Sequence, residues 1–163
     1  MIRIDEQLST SPPDLLFQVA ADVERWPDIL PHYRWVKFQE KTGFGHGLVE
    51  MAAWRDFGGP LRYPTWWASR MESDPAVPVV HYRHVDGVTR GMDVSWEFIP
   101  AAGATLVRVV HEWQGPAWPV IGRFAARHVI GPHFVSAIAR RTIAGVCAEA
   151  ERRAGVTKAG PHG

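Results

Sequence analysis

Apolar and polar residues alternate with a period of two along most of the chain as far as Trp113, the spacing of strands that bury one face. Ile2, Ile4, Glu6 and Leu8 stand between polar neighbours and predict a first strand. Six more are predicted near Arg34–Glu40, Leu48–Phe57, Tyr63–Glu72, Val79–Val85, Met92–Ile99 and Leu106–Trp113. Turn chemistry separates them: Gly43-Phe44-Gly45-His46-Gly47, Gly58-Gly59-Pro60, Asp74-Pro75, Asp86-Gly87 and Pro100-Ala101-Ala102-Gly103. Such short connections favour antiparallel neighbours, because a parallel crossover needs many more residues.

Two stretches break the period. Ser11-Pro12-Pro13-Asp14 reads as a helix start with a serine cap, and Leu15 to Val23 as the helix. Trp26-Pro27 ends it, Asp28-Ile29-Leu30 supplies one more turn, and Pro31 stops that turn. Near the other end, Trp118-Pro119 opens a helical segment that Gly131-Pro132 interrupts. From there Phe134, Val135, Ile138, Thr142 and Val146 recur at spacings of three and four, while Arg140, Arg141, Ala144 and Ala148 fall elsewhere on the wheel. This predicts a long amphipathic helix to about Arg153.

These elements make an α+β design: a seven-stranded antiparallel sheet curved around a long C-terminal helix, with two short helices after the first strand. One helix cannot fill the concave face of so large a sheet, so a cavity between them is expected. The chain has 163 residues, no repeats and no linker, and is read as a single domain over 1–155 with a flexible tail over 156–163.

Composition narrows the function. The formal net charge is +1, which argues against a nucleic-acid partner. The one cysteine, Cys147, precludes an internal disulfide, and the N-terminus lacks the apolar core of a signal peptide. No stretch is apolar for long enough to span a membrane, so a cytoplasmic location is expected. Eight tryptophans are many for one small domain. They imply either a heavily aromatic core or a cavity walled with rings.

Alternation sorts some of these rings. Met92, Val94, Trp96 and Phe98 share the inward face of their strand. The Tyr63–Glu72 strand offers two choices: Trp66, Ala68 and Arg70 on one face, or Thr65, Trp67, Ser69 and Met71 on the other. An inward Arg70 would need a partner such as Glu50, Glu112 or a ligand oxygen. Familiar catalytic patterns are absent. The glycine-rich loop has the wrong spacing for phosphate, and His81 and His84 point to opposite faces of a strand. His128 and His133 straddle a Gly-Pro break, so no metal-ligand spacing is found. His111 alternates with Val109 and Trp113 and is expected in the interior.

The segment Asp22-Val23-Glu24-Arg25-Trp26-Pro27-Asp28-Ile29-Leu30-Pro31-His32-Tyr33 resembles the N-terminal signature of the polyketide cyclase/dehydrase family, part of the START-like, helix-grip superfamily. Met92 to Phe98 and Arg108 to Trp113 resemble the family's paired late strands. The resemblance implies a helix-grip fold around a deep cavity. It implies an aromatase/cyclase that folds and dehydrates a hydrophobic polyketone or, alternatively, a non-catalytic carrier of a quinone or lipid. It also implies Tyr33 and Arg70 as working residues and Trp26 and Trp66 as cavity walls, with Trp54, Trp96, His111, Phe134 and Ile138 as further ligand contacts. The serine two positions before the arginine would be Ala68, a departure that removes a hydrogen-bonding group. In that chemistry a guanidinium stabilises the developing oxyanion and a tyrosine donates to the second carbonyl. No cofactor or metal is implied. Beyond the small molecule, the resemblance leaves open a polyketide synthase carrier protein as partner, and a monomer or a homodimer.

Overall fold

The computed structural model describes residues 1–56, 62–115 and 136–158. In chain order these form β1 (Ile2–Ser9), α1 (Pro13–Ala21), a 3-10 turn (Val23–Arg25), α2 (Trp26–Ile29), β2 (Tyr33–Gly43), β3 (His46–Asp56), β4 (Arg62–Asp74), β5 (Val79–Gly87), β6 (Asp93–Ala101), β7 (Ala104–Glu112) and α3 (Ser136–Lys158). One antiparallel sheet runs in the order β1-β7-β6-β5-β4-β3-β2. Each neighbour from β2 to β7 is joined to the next in sequence, and β1 closes against β7, far along the chain. α3 continues to Lys158.

The seven expected strands, the two short helices after β1 and the long C-terminal helix are present, with ends shifted by a few residues, whereas the helical segment expected from Trp118-Pro119 to Gly131-Pro132 lies outside the described residues. Glycine explains one hairpin. Gly47 has φ 138, and a Cβ there would sit 1.9 Å from the Glu40 carbonyl oxygen, so only glycine lets β3 approach β2 this closely. One local expectation is overturned. The N-cap of α1 is Pro12, and the Ser11 hydroxyl caps nothing and is buried without a partner. Its backbone is held instead: the Thr105 hydroxyl donates to the Ser11 carbonyl at 2.7 Å.

The concave face of the sheet meets α1, α2 and α3. Ala139, Thr142, Ile143, Val146, Cys147 and Ala150 are the buried stripe of α3, spaced as the sequence predicts, while Arg140, Arg141, Ala144 and Ala148 are exposed. Phe134 and Val135, placed on the same stripe by the pattern, lie outside the described residues. Leu30 packs where α2 meets α3, against the hydrogen face of Gly145.

β1 is inverted relative to its hydropathy. Ile2, Ile4 and Leu8 are exposed, and Asp5 and Ser9 are buried. Those two polar groups dock α3. Arg140 Nε donates to Asp5 at 3.1 Å, and the Ser9 hydroxyl donates to Glu151 at 2.8 Å. Directional partners thus outrank apolar burial on this edge strand.

Candidate functional site

Between the sheet and α3 lies a hollow of about 80 Å³, or about 580 Å³ of atom-free space when adjoining solvent is counted. α2 and the start of β2 bring Trp26 and Tyr33 to it. β3 to β7 bring Met51, Trp67, Tyr82, His84, Val94, Trp96, Val109 and His111, and α3 brings Ile138, Ala139 and Thr142. Among the described lining residues there is no Lys, Arg, Asp or Glu.

The aromatic wall is continuous. Trp96 and Trp26 have ring centroids 5.9 Å apart, Trp26 and Tyr33 5.1 Å, and Tyr33 and Trp67 6.2 Å. Trp67 then stacks on His84 at 6.1 Å with planes 8° apart. Trp26 is fixed from behind, because its indole N–H donates to the Val19 carbonyl at 3.2 Å. This is the use of the Trp-Pro turn. Pro27 starts α2 while Trp26, tied to α1, turns its ring face to the hollow.

A short polar relay supports Tyr33. The Thr142 hydroxyl lies 2.8 Å from the Ile138 carbonyl, to which it donates, 3.0 Å from His32 Nε2 and 3.4 Å from the Tyr33 hydroxyl. The last separation is long, so the phenol can give its hydrogen bond to a ligand at little cost. Burial raises the Tyr33 phenol well above its ordinary value, partly offset by Thr142, so it stays protonated. Tyr82 is raised likewise by burial, with Tyr33 adding to the effect. Burial, reinforced by nearby His111, lowers His84 to about 3. His111 is lowered to about 4, chiefly by burial, with Asp5 opposing and Arg3 reinforcing. At neutral pH these four groups are therefore uncharged.

Of the residues expected to contact a ligand, Tyr33, Trp26, Trp96, His111 and Ile138 line the hollow. Phe134 lies outside the described residues. Three expectations fail. Arg70 is exposed on the outer face, where it stands opposite Leu48 and Arg83. Trp66 is half-buried on that same outer face, in a row with Ala52 and Trp35. Trp54 is also outside the hollow, with the Arg34 guanidinium 4.6 Å over its ring centroid. Of the two faces of β4, the inward one is Thr65, Trp67, Ser69, Met71 and Ser73. Either choice buries a tryptophan, but only this one avoids dehydrating an unpaired guanidinium. Trp67, Tyr82, His84, Thr89 and Thr142 were missed as site residues. Tyr82 and His84 share strand parity with Val80, and that was the available signal. No group of residues suited to a metal ion occurs among the described residues. No described helix is long and apolar enough to cross a membrane.

A family model described as polyketide cyclase / dehydrase and lipid transport matches residues 10–129, well over half of the chain. The chain belongs to the polyketide cyclase/dehydrase family. Among solved structures, the Zhui aromatase/cyclase from Streptomyces sp. R1128 is similar at 26% identity, with a TM-score of 0.77 over 94% of this chain and 96% of that one. The di-domain ARO/CYC BexL of the BE-7585A biosynthetic pathway matches at 21% identity and a TM-score of 0.67, over 93% of this chain and 46% of that one. A START superfamily protein from Mycobacterium smegmatis shares the fold at 10% identity, with a TM-score of 0.68 over 93% of this chain and 97% of that one. No curated protein sequence matches. The resemblance implied a serine two positions ahead of an inward arginine. Ala68 and Arg70, the positions the resemblance matches to that pair, lie on the outer face of β4, and Ser69 and Met71 beside them point inward.

Proposed function

We propose that this polyketide cyclase/dehydrase-family protein holds a hydrophobic polyketone in the hollow and promotes its aldol cyclisation and dehydration. The carrying observation is the ring wall from Trp96 through Trp26 and Tyr33 to Trp67 and His84, closed over a mainly apolar space that holds a few neutral polar groups. Flat walls hold a flexible chain in one fold, so that the reacting carbons meet without a further entropic cost. Tyr33 is placed to donate its hydroxyl hydrogen bond to the carbonyl under attack, and the neutral His111 imidazole to take up the proton released at the attacking carbon. His111 passes that proton to the new alkoxide, then takes a second proton from the same carbon and returns it to the hydroxyl, which departs as water. The likeness to an aromatase/cyclase at 26% identity over 94% of the chain supports this reading.

The test is turnover of a synthetic poly-β-ketone surrogate, followed by the absorbance of its aromatic product. Tyr33→Phe is expected to lower the rate on the order of 10²-fold while the melting temperature moves little. Equal rates with and without the protein, or an unaffected variant, would remove the catalytic reading. A second reading, carriage of an apolar molecule such as a quinone or lipid, is favoured by Arg70 standing on the outer face, which leaves the described lining of the hollow without a guanidinium. A co-purifying quinone or acyl lipid in native mass spectrometry would select it.

A further inference from the structure

Tyr82 Oη and His111 Nδ1 are buried polar atoms without a hydrogen-bond partner. Their residues are each 6% exposed and line the hollow. The sheet register puts them in one row, Tyr82 opposite Val94 and Val94 opposite His111, so both side chains leave the same concave surface. Interiors satisfy nearly all such groups, and those that remain open beside a cavity are completed by water or by a bound molecule. Of the other polar groups in the described wall, Tyr33 keeps its hydroxyl hydrogen for the carbonyl under attack, and two are already bonded. His84 Nδ1 is 2.5 Å from the Thr89 hydroxyl, and the Thr142 hydroxyl donates to Ile138.

We infer that Tyr82 and His111 form a polar subsite that reads the oxygens of an uncharged, flat, oxygenated ligand, carrying a carbonyl together with an enol or phenol, and that the hollow rejects carboxylates and phosphates. This rests on the cavity-binding reading above and deepens it. The Tyr82 hydroxyl donates to the carbonyl. His111 Nδ1 accepts from the enol or phenol O–H in one tautomer and donates in the other. The described lining holds no Lys or Arg to pair with an anion, so a carboxylate would enter unpaired from water. The ring walls select flatness and the polar row selects oxygen substitution. Neither needs a charge.

Isothermal titration calorimetry of the full chain at pH 7 tests this with three probes of similar size: naphthalene, 8-hydroxy-1-tetralone and 1-naphthoate. The hydroxytetralone is expected to bind about tenfold tighter than naphthalene, and Tyr82→Phe or His111→Leu to remove most of that advantage. Naphthalene affinity should stay within about twofold in Tyr82→Phe, which also reports that the variant is folded. Naphthoate is expected not to bind. Hydroxytetralone affinity unchanged by both substitutions, or naphthoate binding as tightly as the ketone, would overturn the subsite while leaving the cavity reading intact. Failure of naphthalene and hydroxytetralone alike would overturn the cavity reading, and the subsite with it.

Discussion

At the scale of single residues, two imidazoles tie stability to acidity. His84 and His111 are held neutral at about 3 and about 4, whereas an exposed imidazole titrates near 6.5. The unfolded chain therefore binds more protons than the folded one between those values. Stability rises with pH there, and is lost as pH falls from about 6.5 toward about 4 and then about 3. The loss amounts to several kcal/mol in order of magnitude. Glu149, lowered to about 2 mainly by its hydrogen bond from Arg152, adds to the decline only below about 4.5. Urea midpoints measured from pH 7 to pH 4 are expected to fall well before ordinary carboxylates titrate, and His111→Asn to flatten the slope. Midpoints constant to pH 5 would contradict burial of neutral imidazoles. Arg70→Ala, on the outer face, should change stability by no more than about 0.5 kcal/mol and leave ligand affinity unaltered. The sequence could not choose between the faces of β4, because each carries a tryptophan. What decides is the dehydration of one guanidinium, a three-dimensional quantity with no signature in alternation.

Whole elements were more legible than their faces. The strands of this sheet are bounded by Gly, Pro and Asp pairs that permit little but turns, and their residues alternate cleanly from β5 to β7. β1 misleads because its inward groups are recruited by charge and hydroxyl partners on α3, which hydropathy does not register. The cap of α1 misleads because two prolines already fix the backbone there and the serine hydroxyl is not needed. The seat of α3 depends on the missing side chain of Gly145. A Cβ would lie 2.1 Å from Leu30 Cδ2, and Leu30 is itself buried. Gly145→Val is expected to cost on the order of 1–3 kcal/mol through overpacking. A drop in melting temperature of roughly 5 °C or more is the corresponding readout. An unchanged transition would mean that α2 and α3 part easily.

For the molecule as a whole, the hollow was foreseeable from proportions. Seven strands curve around a single long helix, and the concave area exceeds what one apolar stripe can cover. Which rings wall it was only partly foreseeable. Trp26 and Trp96 follow from the turn and from clean alternation, but Trp54 and Trp66 follow the same rules and end outside. On the outer face they give a second aromatic surface, Trp35 and Trp66 flanking Ala52 across β2 to β4. The indoles are thus divided between a wall and a façade, and composition cannot apportion them.

That division has an optical consequence. Trp26 and Trp96 hold their rings 5.9 Å apart at 48°, fixed by packing and, for Trp26, by its bond to α1. Electronic transitions of chromophores so close and so skewed mix, giving paired bands of opposite sign in near-ultraviolet circular dichroism. The molecule therefore carries its own spectroscopic gauge of whether the chamber is filled. A guest that slides between these rings changes the couplet, while one resting on the outer indoles leaves it alone.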